Sequence, residues 1–228
     1  MRLAIVLILV LNMQGCAYYS YSTGSSYGLV PVDTVEYLGP IERVGYDSEI
    51  LSPVVTLDNG VQIKFFTSWI YNYPIKQSHS DDFKNLEVEV FITSLHEDVA
   101  INVSNITMEQ YRFNRITKVK FMKLERRSSK VPDRYGVDVC TRGPDWESYN
   151  FYEGKAITIP RLTHDLNLLP LRKLREDKNI ICGILYAPDT NLAGEQGFYN
   201  LYLTFIVDGK PKTYTIYFYP VDYRVTIK

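Results

Sequence analysis

The chain has 228 residues, 46% hydrophobic and 22% charged, an ordinary balance for a globular protein with room for one large domain or two small ones. Three cysteines with no Cys-x-x-Cys spacing exclude zinc-ribbon and thioredoxin chemistry. The net charge of −1 conceals a local asymmetry: Ala17–Tyr111 carries −9, Arg112–Arg134 carries +7, and the remainder to Lys228 is balanced.

The first element is Met1-Arg2 followed by the uncharged run Leu3–Leu11 and then Asn12-Met13-Gln14-Gly15-Cys16. A membrane-spanning helix needs about 20 apolar residues, and this run is roughly half that length. A basic start, a short apolar core and a small residue before a cysteine resemble a bacterial lipoprotein signal peptide, whose lipobox ends in Gly/Ala-Cys. The resemblance covers only these 16 residues; Met13 departs from it, since the family usually has a small or β-branched residue there. It implies that residues 1–15 are removed and that Cys16 is lipidated as the first residue of the mature protein. Each buried methylene contributes about 0.8 kcal/mol, and stable anchoring takes more than one acyl chain. Lipoproteins of this type carry a diacylglyceryl group on the thiol and often a third chain on the amine. Ala17, rather than Asp, after the cysteine implies sorting to the outer membrane in a Gram-negative cell.

Residues 16–31 hold Ser, Gly and Tyr without a charge, which reads as a flexible tether spanning roughly 20 Å. Within it, Gly24-Ser25-Ser26-Tyr27-Gly28 is a formal Gly-x-Ser-x-Gly. A nucleophile elbow needs a buried strand before it and a helix after it, and neither pattern flanks Ser26.

From residue 32 onward the pattern is strands and turns. Val54–Leu57 and Val61–Phe66 flank Asp58-Asn59-Gly60, a short hairpin loop that tolerates positive φ. Leu86–Ile92 alternates, with Leu86, Val88, Val90 and Ile92 on one face; the chain turns near His96-Glu97-Asp98 and returns as Val99–Val103. Ile116–Met122 forms one further strand, with Val119 and Phe121 facing away from Lys118 and Lys120. Asp165–Glu176 is the one helical candidate, limited to one or two turns by Pro170. Ile180–Tyr186 is a continuous apolar run that reads as a central strand. Tyr199–Val207 and Pro211–Tyr219 are long strands joined through Asp208-Gly209, a type I′ signal. Frequent turns and no βα alternation predict an all-β, antiparallel β-sandwich of immunoglobulin-like type over 32–228, without the Cys…Trp…Cys spacing of true immunoglobulin domains. The 19 Tyr and 10 Phe fit half-buried strand positions.

With Cys16 assigned to lipid, Cys140 and Cys182 form an even pair for which a disulfide is the expected state in an oxidising compartment. Closing that loop contributes about 4 kcal/mol in the chain-entropy account. The aromatic and acidic stretch around Trp146, Tyr149 and Tyr152 supplies the materials of a carbohydrate- or peptidoglycan-binding loop, or of a loop pinned by buried aromatics near Cys140. The basic stripe, with Lys118, Lys120, Lys123, Arg126 and Arg127, suits anionic lipid or an acidic partner, edge-strand protection, or the acidic N-terminal segment of the chain itself. His96-Glu97-Asp98 and His79-Ser80-Asp81-Asp82 read as polar turns rather than metal ligands. The sequons at Asn102 and Asn105 carry no weight in a bacterial lipoprotein. The expected protein is a membrane-anchored envelope lipoprotein, outer-membrane if Gram-negative, acting as a binding or assembly subunit. No enzymatic activity, cofactor, metal or nucleic-acid partner is expected. The alternative is a carbohydrate-binding module.

Overall fold

The computed structural model describes residues 18–34, 36–42, 52–66, 86–110, 115–123, 150–151, 156–162, 165–169, 174, 177, 179–187 and 198–227. These form thirteen strands in two sheets, the all-β antiparallel sandwich expected. In chain order they are β1 Tyr18–Gly28, β2 Glu36–Glu42, β3 Val55–Thr56, β4 Val61–Phe66, β5 Leu86–Ser94, β6 Val99–Gln110 and β7 Arg115–Lys118. There follow β8 Lys120–Lys123, β9 Asn150–Phe151, β10 Ala156–Thr158, β11 Ile181–Ala187, β12 Tyr199–Val207 and β13 Lys210–Ile227. The first sheet runs β1-β13-β12-β6-β10, with β2 against β13 and β7 against β6; the second runs β3-β4-β5-β11-β8-β9. The β2–β13 pair is parallel, and every other ladder is antiparallel.

Alternation decides which side chains meet between the sheets. Val88, Val90 and Ile92 of β5 turn inward, as do Val61, Ile63 and Phe65 of β4. From the first sheet Tyr199, Leu201, Leu203 and Phe205 of β12 meet them, with Ile216 and Phe218 of β13. The β12–β13 hairpin turns through Asp208 and Gly209 with φ of 50° and 73°, the pair of positive angles that a type I′ turn requires. The β3–β4 turn closes with Gly60 at φ 76°. A Cβ on Gly60 would lie 2.3 Å from Cδ2 of His96, so the imidazole covers this glycine and leaves no room for a side chain.

The tether expected at 16–31 is corrected by β1. Residues Tyr18–Gly28 form an 11-residue strand, paired in unbroken register with β13 from Tyr18 opposite Ile227 to Gly28 opposite Tyr217. Gly24, Ser25, Ser26 and Tyr27 are buried. Serine and glycine read as linker residues because they cannot build a core, yet they suit a strand whose burial is supplied by its neighbours. Tyr27 secures the strand. Its ring meets Phe65 edge-on at 4.8 Å and Phe218 at 5.4 Å, and those two rings are 5.1 Å apart. Its hydroxyl accepts the Phe65 N–H at 2.7 Å and donates to the Pro53 carbonyl. One side chain thus joins β1 and β13 of the first sheet to β4 of the second. Ser26 lies inside this strand, with no turn or helix following it to form a nucleophile elbow.

One further expectation changes. The single strand over Ile116–Met122 is two strands: β7 pairs with β6 in the first sheet, and β8 pairs with β11 in the second. Val119, between them, is buried and donates its N–H to the Ile106 carbonyl at 3.0 Å. On β6 the register shifts between Tyr202 and Thr204, so Val103–Ile106 bulge against a single residue of β12. Within Asp165–Glu176 the described residues show a 3-10 turn, Leu166–Leu168, and Leu174 in helical conformation, in keeping with the short helical turns that Pro170 allows.

Those leucines have a separate role. Leu162, Leu166, Leu174 and Ile180 pack with Phe91 into a second apolar cluster. Phe91 alternates with Val90 and Ile92, so it stands on the outward face of the second sheet. That sheet is therefore covered on both sides.

Candidate functional site

The covered outward face of the second sheet collects polar groups where a sandwich normally meets water. Gln62 and Lys64 of β4, Glu89 and Thr93 of β5 are each no more than 5% exposed. Gln62 stands opposite Thr93, and Lys64 opposite Phe91. Buried polar groups need partners, and the segment laid over them supplies several. The Gln62 amide oxygen accepts the Leu166 N–H at 3.2 Å, while its NH₂ donates to Asp165 at 3.4 Å. The Thr93 hydroxyl has the carbonyls of Asn179 at 3.0 Å and Pro160 at 3.1 Å within reach. Ser94 donates its N–H to Pro160 and accepts from Leu162, which pins the covering chain to the end of β5. Lys64 and Glu89, of opposite charge, both lie buried on this face. The strict alternation Val61-Gln62-Ile63-Lys64-Phe65 suggests solvent for Gln62 and Lys64. The signal against that is Phe91, an aromatic on the same face, together with the leucine-rich segment that packs on it.

A second polar cluster fastens the two sheets at their rim. Asp58, in the β3–β4 turn, accepts hydrogen bonds from the Lys212 ammonium and the Tyr214 hydroxyl of β13. The ammonium also stands 4.9 Å from the centre of the Tyr214 ring. Asp58 titrates below the ordinary aspartate range, first because Lys212 and then Tyr214 donate to it. Lys212 is raised by the same bond to Asp58. Tyr214 is raised chiefly by burial and then by Asp58. The signs define a window. A depressed carboxyl contributes above its unfolded value of about 3.9 and loses that contribution as pH falls through its folded value. A raised lysine contributes below about 10.4 and loses it as pH rises through its folded value. The clasp is therefore complete between roughly pH 4 and 10. Carboxyl ¹³C titration should place the Asp58 midpoint below that of an ordinary aspartate, and Lys212→Met should raise it toward the ordinary range. An unchanged midpoint in the variant would sink this account. Sequence offers no trace of the clasp, because its members lie 154 and 156 positions apart.

The positions singled out from sequence divide into two groups. Cys16, Cys140, Trp146, Tyr149, Tyr152, Arg126 and Arg127 lie outside the described residues, as do His79 and His164. Cys182 stands on β11 opposite Phe91, half-buried and disulfide-bonded. Lys118 and Lys120 are exposed on either side of the Val119 crossing, one on β7 of the first sheet and one on β8 of the second. Lys123 ends β8 opposite Gly183. Edge protection suits Lys118, whose strand pairs only with β6 among the described residues. Lys120 sits on a strand enclosed by β11 and β9. In the β5–β6 turn, Glu97 accepts a 2.6 Å hydrogen bond from Arg161, an exposed pair of small energetic weight. Among the described residues no group of three or more His, Cys, Asp or Glu is placed to hold a metal, and no helix is long and apolar enough to cross a membrane.

No known protein family matches the sequence, and no curated protein does. Among solved structures, the chain is similar to a family 123 glycoside hydrolase from Clostridium perfringens, studied for glycolipid glycan hydrolysis. The identity is 13% and the TM-score 0.27, over 63% of this chain and 21% of that one. The chain thus spans about a fifth of that protein, and a likeness this low carries no argument about substrate.

Proposed function

We propose that the chain is a cell-envelope lipoprotein, anchored through Cys16 after removal of residues 1–15, whose β-sandwich serves as a binding or assembly subunit rather than an enzyme. The observation that carries this reading is the meeting of two boundaries. The apolar N-terminal run closes at Gly15-Cys16, and the first strand of the sandwich begins at Tyr18. A cut before Cys16 leaves the folded domain whole. Cys182, being disulfide-bonded, supports an oxidising compartment. With Cys16 carrying lipid, Cys140 is its proposed partner. Ala17 supports the outer membrane as destination in a Gram-negative cell.

Detergent-phase partition of the full-length chain, expressed in a bacterial host, tests the anchor. The wild type should enter the detergent phase at the mass of a processed, acylated chain. Cys16→Ser should keep residues 1–15 and lose the acyl mass, as should the wild type when the lipoprotein signal peptidase is inhibited. Unchanged processing and partition in the variant would falsify the proposal. Nothing among the described residues favours a carbohydrate-binding reading over this one.

A further inference from the structure

Tyr18, the first residue of β1, pairs with Ile227, the last of β13. Along the opposite edge of β13 runs β2, with Glu42 opposite Thr226. Three strand ends therefore finish at one level, at the end of β13 remote from the β12–β13 hairpin. Only Ala17 separates Cys16 from Tyr18. Two extended residue steps reach about 7 Å. The headgroup layer on each side of a bilayer is of similar depth, roughly 5–8 Å. A lipid on Cys16 thus keeps the start of β1 within reach of the headgroups, and the unbroken 11-pair ladder fixes that start to the end of β13.

The residue types at this end suit that position. β1 carries no charge along its whole length, and Tyr18, Tyr19 and Tyr21 are three of its first four residues. Tyrosine is enriched where a membrane meets water, having an apolar ring and a polar tip. Lys118 stands elsewhere. Lys118 is level with Thr107, Thr107 with Tyr202, and Tyr202 with Thr215. Thr215 lies about 40 Å along β13 from Ile227 at strand rise, beyond the reach of the same headgroups.

We propose that the joined ends of β1, β13 and β2 are a lipid-contacting pole, seated in the headgroup layer, from which β13 carries the β12–β13 hairpin away from the bilayer. This rests on the reading of Cys16 as the anchor. The test uses the purified, lipidated full chain in phosphatidylcholine vesicles, with a small fluorophore on Thr226→Cys or Lys210→Cys and a nitroxide on the lipid headgroup. Ser20→Cys, level with Val225, is a second reporter should the first variant fold poorly. Quenching at 226 or 20 should exceed that at 210 several-fold, and Lys118→Cys should behave like 210. Equal quenching at all positions, or stronger quenching at 118 or 210, overturns the proposal. The mass of the N-terminal peptide from the same vesicles separates the two claims. Acylated Cys16 with equal quenching removes the orientation alone, whereas an unacylated Cys16 removes the anchor and the orientation with it.

Discussion

Tyr27→Ala should destabilise the domain by about 3–5 kcal/mol, the range for deleting a buried aromatic. For a domain of this size that lowers the melting temperature by roughly 6–20 °C. The ring is 1% exposed and packs against both Phe65 and Phe218, so its removal opens a cavity where the two sheets meet. Tyr27→Phe separates ring from hydroxyl. It retains the packing but leaves the Phe65 N–H and the Pro53 carbonyl without their partner, at a cost of about 1–3 kcal/mol. Tyr37→Ala is the control, since Tyr37 is 57% exposed, and it should shift stability by no more than about 0.5 kcal/mol. Thermal or urea unfolding reads all three. A Tyr27→Ala chain as stable as the Tyr37→Ala chain would mean that the Ser/Gly/Tyr segment is a tether after all.

Phe91→Ala should cost a similar 3–5 kcal/mol but act in a different place. Phe91 is fully buried, yet its neighbours are Leu162, Leu166, Leu174 and Ile180 rather than the residues between the sheets. Losing it loosens the layer over the second sheet first. Hydrogen exchange followed by mass spectrometry should show early loss of protection at Ser94, Leu162 and Leu166, whose amides bond across that boundary. Protection on β4 and β12 should persist. Phe205→Ala, in the inner core, should lower protection in both sheets together. A Phe91→Ala chain that exchanges uniformly would show the two clusters to be one cooperative unit.

Where a strand is bounded by its own turn chemistry, sequence reveals it: β4, β12 and the Asp208-Gly209 hairpin fall at the expected positions. Where a strand owes its existence to a remote partner, local pattern misleads. β1 looks like a linker because its burial comes from β13 and from Phe65, far along the chain. The break at Val119 is hidden because alternation continues through it: Val119 and Phe121 both face inward although the chain changes sheets between them. The covered polar face escapes for a related reason. Gln62 and Lys64 alternate as solvent-facing residues do, and only the segment carrying Leu162 and Leu166 removes the solvent. The role proposed for Cys16 rests on a local run of residues, while Asp58, Lys212 and Tyr214 converge only after folding.

The pairing of β1 with β13 also sets an order of events in time. Ser25 and Tyr219, bonded side chain to backbone, are 194 positions apart. A strand whose ladder is supplied by one so far along the chain, as β13 supplies that of β1, stays unpaired until the later strand has been synthesised. Contacts of such long separation are the slow ones in folding, because the loop-closure entropy precedes any reward. Until β13 is in place, β1 holds its hydrogen-bonding groups exposed. That interval is when aggregation threatens most. Any truncation that removes the end of β13 makes it permanent, so residues Tyr217–Ile227 govern whether β1 ever folds.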